Sequence, residues 1–410
     1  MKILGASWLH TSSAAVSISH KRVQLGLLES SFTRESQDSS FPTNALRAVA
    51  GVDDIEYVAT PVNAHLQEFS KRAALYTKNI IPVDYIDALA MTPISLTTWD
   101  TCAVVVLDKH VFALGVYENN TLHWFHEQRE AVTPGMFIHI ACEFLGIAPS
   151  SFVNYAQSGS PVFAPWILNN LVSVEPPQFI AENALLSNYG VAAADANIAA
   201  SVHSAYTQSV VSLVQWLSQQ TFYSRLAIAG SLANDYITNR QILEHTDFEE
   251  LAVQPSAESI CIGAASAVDR VLWEHCYIGH PAKDIYYKEI LQTLLLGQVF
   301  ENCNPTTEFR DSSFICNNRL VLPFAQNNLD SVTAVICQEQ DYDNYYKSIK
   351  FKKSTEYIES IPLPNNPLPY SRVVTVSSNR NPTIYKVLSH LKEHGHPFIL
   401  SGPLRNNNEF

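Results

Sequence analysis

Two segments of the sequence, about ninety residues apart, share one design, and this repetition limits the possible folds most strongly. The first contains the apolar runs MKILGASW and AAVSISHKRVQLGLLE, and the second run is divided by the polar turn HKR. Residues 101–117 contain a β-branched run, then the turn Asp108-Lys109-His110, and then another apolar run. Apolar runs separated by short polar turns are typical of β-hairpins. Two such hairpins predict an internally duplicated α/β domain.

The chain between and after the hairpins carries helical and strand patterns that fit this domain. Apolar positions recur at three- and four-residue steps in several segments, and RLAIAG is an apolar run of strand type. We therefore predict helices over 42–50, 64–77, 183–220, a segment ending at Leu243, and 263–273, with a strand over 225–230.

A change of composition near Tyr277-Ile278-Gly279-His280-Pro281 predicts a hinge between domains. The predicted N-terminal domain spans 1–280 and the C-terminal domain 281–410. The patterns predict helices at 285–298 and 382–394, an irregular stretch at 301–330, and the strands RVVTVSS and PFIL.

Composition excludes several classes of partner. The 410 residues carry a net charge of −13, which repels phosphate backbones and anionic lipids, so we expect no nucleic-acid partner. No apolar run reaches the roughly 18 residues that a membrane span needs, and we expect no membrane partner. Seven cysteines without a CxxC pair give neither a disulfide framework nor a zinc signature. Reduced thiols predict a cytoplasmic protein.

Several motifs, in the same order along the chain, resemble those of the O-carbamoyltransferases, the family that includes nodulation, cephem and aminoglycoside-antibiotic carbamoylating enzymes. The N-terminal matches are ILGASWLHTSSAAVSI, LLESSFTRESQDSSFPTNAL, AIAGSLANDYITNRQIL and AVQPSAESICIGAAS. Further matches are YIGHP, IKFKK and SRVVTVSSNRNPTIYKVLSHLKEHGHPFIL. The ordered set covers most of the chain.

This resemblance implies a duplicated actin-like (ASKHA) N-terminal domain and a shortened YrdC-like α/β C-terminal domain. In the family, the second domain converts carbamoyl phosphate and ATP into carbamoyl-adenylate. The first domain transfers the carbamoyl group to an acceptor hydroxyl. Both steps need positive charge or a divalent metal, such as iron or magnesium, to compensate phosphate and oxyanion charge.

The resemblance also assigns roles to individual residues. It implies that His10 is catalytic, that Asp108 and Glu258 are metal ligands, and that the nucleotide or carbamoyl phosphate is bound by Arg34, Asn234, Lys350 and Arg372. Three of these residues could instead have a purely structural role. His10 could bond backbone at a strand end, Asp108 could close a hairpin turn, and Asn234 could cap a helix.

Other positions that carry charge or metal ligands in the family are replaced here. Tyr85 and Leu89 stand where the resemblance expects two metal-binding histidines, and Leu cannot replace an imidazole ligand. Ser31 and Ser36 replace basic residues, and arginines are replaced by Thr306, Ser312 and Asn317. Bidentate contacts to oxyanions cannot come from these shorter side chains.

The combined losses favour a carbamoyltransferase-family protein that is a non-catalytic partner or scaffold of an active enzyme. We then expect no cofactor or weak ATP binding, and a protein partner, either a paralogous carbamoyltransferase or a second copy. The alternative is an active ATP-dependent O-carbamoyltransferase that uses ATP, carbamoyl phosphate and a divalent metal. A third possibility is a ligand-sensing module that has kept the nucleotide cleft.

Overall fold

Hydrogen-bonded sheets and the helices that cover them account for most of the described chain. The structure, a computed structural model, describes residues 2–9, 12–33, 38–51, 55–63, 65–129, 132–174, 177–179, 195–233, 235–254, 257–273, 300–301, 314–317, 334–338, 372–376, 378, 382–393 and 398–402. Within these ranges, no helix has the length and apolar character to cross a membrane.

The chain divides into two compact units. The first comprises Met1–Met91, Ser95–Thr97 and Glu258–Phe410, and the second comprises Thr92–Ile94 and Thr98–Ala257. The domain boundary that the sequence predicts at residue 280 falls outside the described residues. That boundary remains a prediction.

The first unit contains a five-stranded sheet. Its strands are β1 (Lys2–Trp8), β2 (Ser13–Ser19), β3 (Arg22–Leu28), β4 (Ile55–Pro61) and β5 (Ile80–Val83), in the order β3-β2-β1-β4-β5. β1 pairs antiparallel with β2 and parallel with β4. The helices of this part of the chain are α1 (Ser30–Thr33), α2 (Thr43–Ala50), α3 (Leu66–Ala73) and α4 (Tyr85–Ser95, which continues into the second unit).

The second unit contains another five-stranded sheet with the same topology. Its strands are β6 (Thr101–Leu107), β7 (Val111–Glu118), β8 (Thr121–Arg129), β11 (Arg225–Ala229) and β12 (Glu250–Val253), in the order β12-β11-β6-β7-β8. A separate two-stranded sheet pairs β9 (Val172–Val174) with β10 (Pro177–Phe179). The helices are α5 (Pro134–Leu145), α6 (Pro149–Ala156), α7 (Ala164–Leu171), α8 (Asp195–Thr221) and α9 (Tyr236–His245).

In both five-stranded sheets, an antiparallel three-stranded meander is followed by two parallel strands. This repetition agrees with the predicted duplication, and the fold is mixed α/β. The first predicted turn is observed where His20 and Lys21 have positive φ angles of 51° and 60°, as a two-residue hairpin turn of type I′ requires. The second predicted turn, at Asp108-Lys109-His110, joins β6 to β7.

The predicted helix over 263–273 is wrong in its limits. The observed helix, α10 (Ile260–Val268), ends early because the following residues are extended and bond to the edge strand β3. Leu272 donates its N–H to the Lys21 carbonyl and accepts from the Val23 N–H. α10 lies directly against β1, since a Cβ on Gly5 would stand 2.1 Å from the Cys261 carbonyl oxygen.

The buried carboxylate of Glu29 connects the end of β3 to α2. It accepts hydrogen bonds from the backbone N–H groups of Asn44 (3.0 Å) and Ala45 (2.8 Å) and from the Asn44 side-chain amide (2.7 Å). A carboxylate at a helix N-terminus satisfies N–H groups that have no partner inside the helix. Glu29 therefore holds the chain after β3 against the first turn of α2.

The C-terminal region contains a third five-stranded sheet. It comprises β13 (Phe300–Glu301), β14 (Phe314–Asn317), β15 (Ala334–Gln338), β16 (Arg372–Val376) and β17 (Phe398–Gly402), in the order β13-β14-β17-β15-β16, together with α11 (Pro382–Glu393). The strand predicted at RVVTVSS, the helix over 382–394 and the final strand are therefore observed. The predicted helix over 285–298 and the Lys-rich segment 345–354 lie outside the described residues. The YrdC-like character of this region remains a prediction.

Candidate functional site

Three residues that contact one another or the adjoining loops follow the carboxyl ends of neighbouring parallel strands in the second unit. Asp108 follows β6, Gly230 follows β11 and Gln254 follows β12. β11 pairs in parallel with both β6 and β12, so these three ends lie at one edge of the sheet. The carboxyl edge of parallel strands is the common position for ligand sites in α/β folds. This edge is the candidate site.

The carboxylate of Asp108 connects two loops at this edge. Its Oδ1 accepts the backbone N–H of His110 at 3.2 Å, which closes the β6–β7 turn, and its Oδ2 accepts the N–H of Ser231 at 3.0 Å. The carboxylate is buried. An Asp that bonds to the backbone two residues ahead is ordinary turn chemistry. The structure therefore shows the turn role that the sequence left open, extended to the loop after β11.

The loop after β11 lies directly against the end of β6. Gly230 has a φ of +103°, and a Cβ there would stand 2.3 Å from the Leu107 carbonyl oxygen. The same carbonyl accepts the Leu232 N–H at 3.1 Å. Gln254 accepts the Gly230 N–H at 2.9 Å through its side-chain oxygen. Only glycine combines this backbone angle with so close an approach.

Helix α5 begins against the other side of the Asp108 turn. The Thr133 hydroxyl lies 2.7 Å from the Asp108 carbonyl and 2.8 Å from the Lys109 carbonyl, and it accepts the Met136 N–H as the helix N-cap. A Cβ on Gly135 would stand 2.4 Å from the Asp108 carbonyl group. The turn is therefore held by side chains and by direct backbone packing.

Helix α9 begins at the same edge, and its N-cap is Asp235 rather than Asn234. Asp235 Oδ1 accepts the N–H groups of Ile237 (3.2 Å) and Thr238 (3.3 Å). Its Oδ2 lies 2.8 Å from His203 Nε2 on α8 and accepts the Thr238 hydroxyl at 2.7 Å. The helix-capping role that the sequence suggested for Asn234 is therefore performed by Asp235.

The protonation of this buried pair follows from its geometry. Burial lowers the pKa of His203, but the charge and hydrogen bond of Asp235 outweigh burial, so the pKa is raised above the ordinary value. Burial raises the pKa of Asp235, but His203 and Thr238 outweigh it, and the pKa of Asp235 is lowered. Each partner therefore favours the charged form of the other.

In the first unit, three buried hydroxyls lie in β1, in β2 and at the residue before β2. Ser7, Ser12 and Ser13 are buried, and their Oγ atoms have no hydrogen-bond partner within the described part of the chain. Beside them, the ring of Trp8 stacks on His65 with centroids 4.6 Å apart, and its Nε1 donates to the Ser39 carbonyl at 2.7 Å.

The structure describes only some of the predicted site residues. His10, Arg34, Asn234 and Lys350 lie outside the described residues, and so does the side chain of Arg372, the first residue of β16. Glu258 lies in the short turn Ala257–Ser259 before α10 and is partly exposed. Asp108 and the Gly230 loop, which leads to Asn234, are brought together.

One described position does not fit the metal site that the resemblance implies. Leu89 on α4 is 2% exposed and belongs to the hydrophobic core, so it offers no ligand atom where a histidine is expected. Among the described residues, no group of three His, Cys, Asp or Glu side chains could hold a metal ion.

Sequence reasoning missed Gln254, His203 and Asp235 as residues that shape the site. Asp235 has a local signal, because Asp before an apolar helical pattern is a typical N-cap. His203 has none, since its partner is 32 residues away. Gln254 lies inside the match AVQPSAESICIGAAS, but its partner Gly230 is 24 residues away and no local pattern predicts their contact.

The fold is similar to solved structures of low sequence identity. One is the activator of the 2-hydroxyisocaproyl-CoA dehydratase from Clostridium difficile with bound ADPNP, with 14% identity over 65% of this chain and 94% of that chain and a TM-score of 0.45. Another is the Acidaminococcus fermentans (R)-2-hydroxyglutaryl-CoA dehydratase component A, with 13% identity, 65% and 97% coverage and a TM-score of 0.45. A ROK hexokinase from Thermus thermophilus has 12% identity, 65% and 98% coverage and a TM-score of 0.39.

A search of curated proteins finds no significant match to this sequence. The family model for the carbamoyltransferase N-terminus matches residues 166–266. This range contains α8, β11, the Gly230 loop, α9 and Gln254, and so includes most of the candidate site. The match supports membership of this chain in the carbamoyltransferase family.

Proposed function

We propose that this chain is a carbamoyltransferase-family protein with an actin-like N-terminal region that has lost the ordinary reaction and serves as a non-catalytic partner or scaffold of an active carbamoyltransferase. The observation that carries the proposal is the burial of Leu89 in the core at a position where the resemblance expects a metal-binding histidine. A hydrocarbon side chain offers no lone pair to a metal.

The surroundings of Leu89 support a structural role for this position. Its neighbours on α4, Ile86, Ala88 and Ala90, are buried apolar residues as well. A polar ring in such a place would lose hydration without gaining a partner, which costs about 1–3 kcal/mol. The position therefore contributes to the core.

Asp108 supports the proposal in another way. Its carboxylate joins the β6–β7 turn to the loop after β11, so the fold alone accounts for an acidic residue there. A protein that no longer binds metal still needs this residue in order to hold the two loops together.

The test measures turnover and association in parallel. Purified protein is incubated with ATP, carbamoyl phosphate and Mg²⁺ or Fe²⁺, and release of phosphate and pyrophosphate is recorded. The chain is also co-expressed with a motif-complete carbamoyltransferase from the same genome, and the complex is analysed by size-exclusion chromatography with light scattering. We expect no turnover by the chain alone and a stable complex with the active enzyme.

Two results would reject the proposal. Steady turnover by the isolated chain, abolished by Lys350→Ala or Arg372→Ala, would favour the active ATP-dependent O-carbamoyltransferase. Absence of both turnover and complex formation would reject the partner and scaffold roles. The variant Lys392→Ala, which removes an exposed lysine of α11, is the matched control for the first result.

A further inference from the structure

A long helix without charged side chains is exposed along one of its faces in the second unit, and no step of the proposed function uses that face. Residues 196–224, which include nearly all of α8, contain no Asp, Glu, Lys or Arg, although the chain as a whole carries −13. The exposed positions of the last half of this helix follow a helical repeat: Gln208, Ser212, Gln215, Trp216, Gln219 and Gln220. Charge is thus missing from a face that water reaches.

Aromatic side chains extend this face beyond the helix. Trp216 is 36% exposed and meets Phe125 of β8, which is 51% exposed, with ring centroids 6.4 Å apart in an edge-on arrangement. Phe222 follows the last residue of α8 and is 90% exposed, with a positive φ of 56°. A bulky side chain in this backbone region is an outlier, and such outliers are often kept for function.

The only charged residues of β8 neutralise each other. Arg129 Nε lies 2.9 Å from Glu127 Oε1, and the other residues of Thr121–Arg129 are uncharged or histidine. Depletion of charge and enrichment in aromatic residues distinguish the cores of protein interfaces from other protein surfaces. Phe125, Trp216, Gln215, Gln219, Gln220 and Phe222 are here called the aromatic–amide face.

The chemistry of this face fits a second copy of the same chain. In a two-fold contact each residue meets the same surface on its partner, so a charged face would place like charges together. An amide is both donor and acceptor, and identical glutamines can therefore bond to one another. The side-chain amides of Gln215, Gln219 and Gln220 make no hydrogen bond to any described residue.

The aromatic–amide face is also large enough for a contact between two copies of the chain. From Gln208 to Thr221 the helix rises about 20 Å, and the nine-residue strand β8 spans about 30 Å beside it. A standard interface of about 800 Å² per partner is roughly 30 Å across. We propose that two copies of this chain associate through the aromatic–amide face around a two-fold axis. This inference does not depend on the loss of catalysis.

The test is the mass of the full chain in solution, measured by light scattering and sedimentation over a range of concentrations. We expect a particle of twice the chain mass of 45.6 kDa. Trp216→Glu places like charges at the contact and should raise the dimer dissociation constant by about tenfold or more. Phe125→Glu should do the same, and it serves as the second variant if Trp216→Glu does not fold.

Leu75→Glu is the matched control, because Leu75 is 87% exposed, belongs to the first unit and undergoes the same change of side chain. It should remain dimeric, and circular dichroism with thermal melting verifies that each variant is folded. A wild-type protein that stays monomeric up to its solubility limit would overturn the proposal. So would a dimer that survives both Trp216→Glu and Phe125→Glu, or a face that binds only a different protein.

Discussion

His203 Nε2 and Asp235 Oδ2 lie 2.8 Å apart in a buried part of the second unit, and this pair joins α8 to the first turn of α9. The carboxylate also caps α9 through two backbone N–H groups, so one side chain serves both the helix and the ion pair. The loop before α9 starts at Gly230, which lies at the same sheet edge as Asp108. The pair therefore supports this edge of the sheet by fixing the start of α9.

The first prediction concerns this pair. His203→Gln leaves the Asp235 carboxylate buried without its cation and should lower the free energy of unfolding by about 3–5 kcal/mol near pH 6. His245→Gln, at an exposed position of α9, is the control and should change it by less than about 0.5 kcal/mol. Chemical denaturation followed by circular dichroism measures both variants.

The loss of stability caused by His203→Gln should depend on pH. The folded pKa of His203 is raised above 6.5, so its contribution is complete below pH 6.5 and is lost as the pH rises through the folded pKa. The folded pKa of Asp235 is lowered below 3.8, so its contribution is present above pH 3.8 and is lost as the pH falls through the folded pKa. The difference between wild type and His203→Gln should shrink at alkaline pH. A difference that stays constant there would contradict the ion pair.

The second prediction separates the turn role of Asp108 from a metal role. Asp108→Ala removes the acceptors of two backbone N–H groups and should lower the free energy of unfolding by about 2–4 kcal/mol. Asp108→Asn keeps one acceptor oxygen and should cost about half as much. Denaturant titration in the presence and absence of Mg²⁺ or Fe²⁺ gives the values. Metal-dependent stabilisation of the wild type that Asp108→Asn abolishes would favour the ligand role.

The third prediction concerns the contact between β1 and α10. Gly5→Ala would place a Cβ 2.1 Å from the Cys261 carbonyl oxygen, so the helix must move away from the sheet. We expect a loss of about 3 kcal/mol, at the upper end of overpacking effects. Gly146→Ala is the control, because a Cβ at Gly146 would meet open space. Its only cost is the left-handed backbone, with a φ of +65°, which should lower the free energy of unfolding by about 1 kcal/mol. Equal melting temperatures for the two variants would show that α10 does not pack as described.

The fourth prediction concerns nucleotide. Titration calorimetry of the chain with ATP and a divalent ion should show weak binding or none, because Tyr85 and Leu89 replace expected metal ligands. Binding with a micromolar dissociation constant, lost in His10→Ala or Asp108→Ala, would contradict the proposed loss of chemistry. Gln208→Ala, on the exposed side of α8, provides the control variant.

Local patterns were sufficient for the elements whose neighbours in sequence are also neighbours in space. The hairpins of β1–β3 and β6–β7 follow from apolar runs around short polar turns, and α2, α3 and α11 follow from helical spacing. β8 was missed because its residues alternate between partly buried and exposed positions, and no buried apolar run marks it. A register shift opposite Leu114 and Gly115 further interrupts its pattern.

The sequence by itself determined the duplicated α/β arrangement, because periodic apolar residues dictate which face of each strand or helix is buried. It also determined the substitution of Leu89 and Tyr85 for expected ligands. Only the tertiary structure decided that Asp108 holds the Ser231 loop, that Gln254 holds Gly230 and that His203 pairs with Asp235. These contacts join residues 24 to 123 positions apart, and their geometry exists only once parallel strands and packed helices bring distant side chains to one edge.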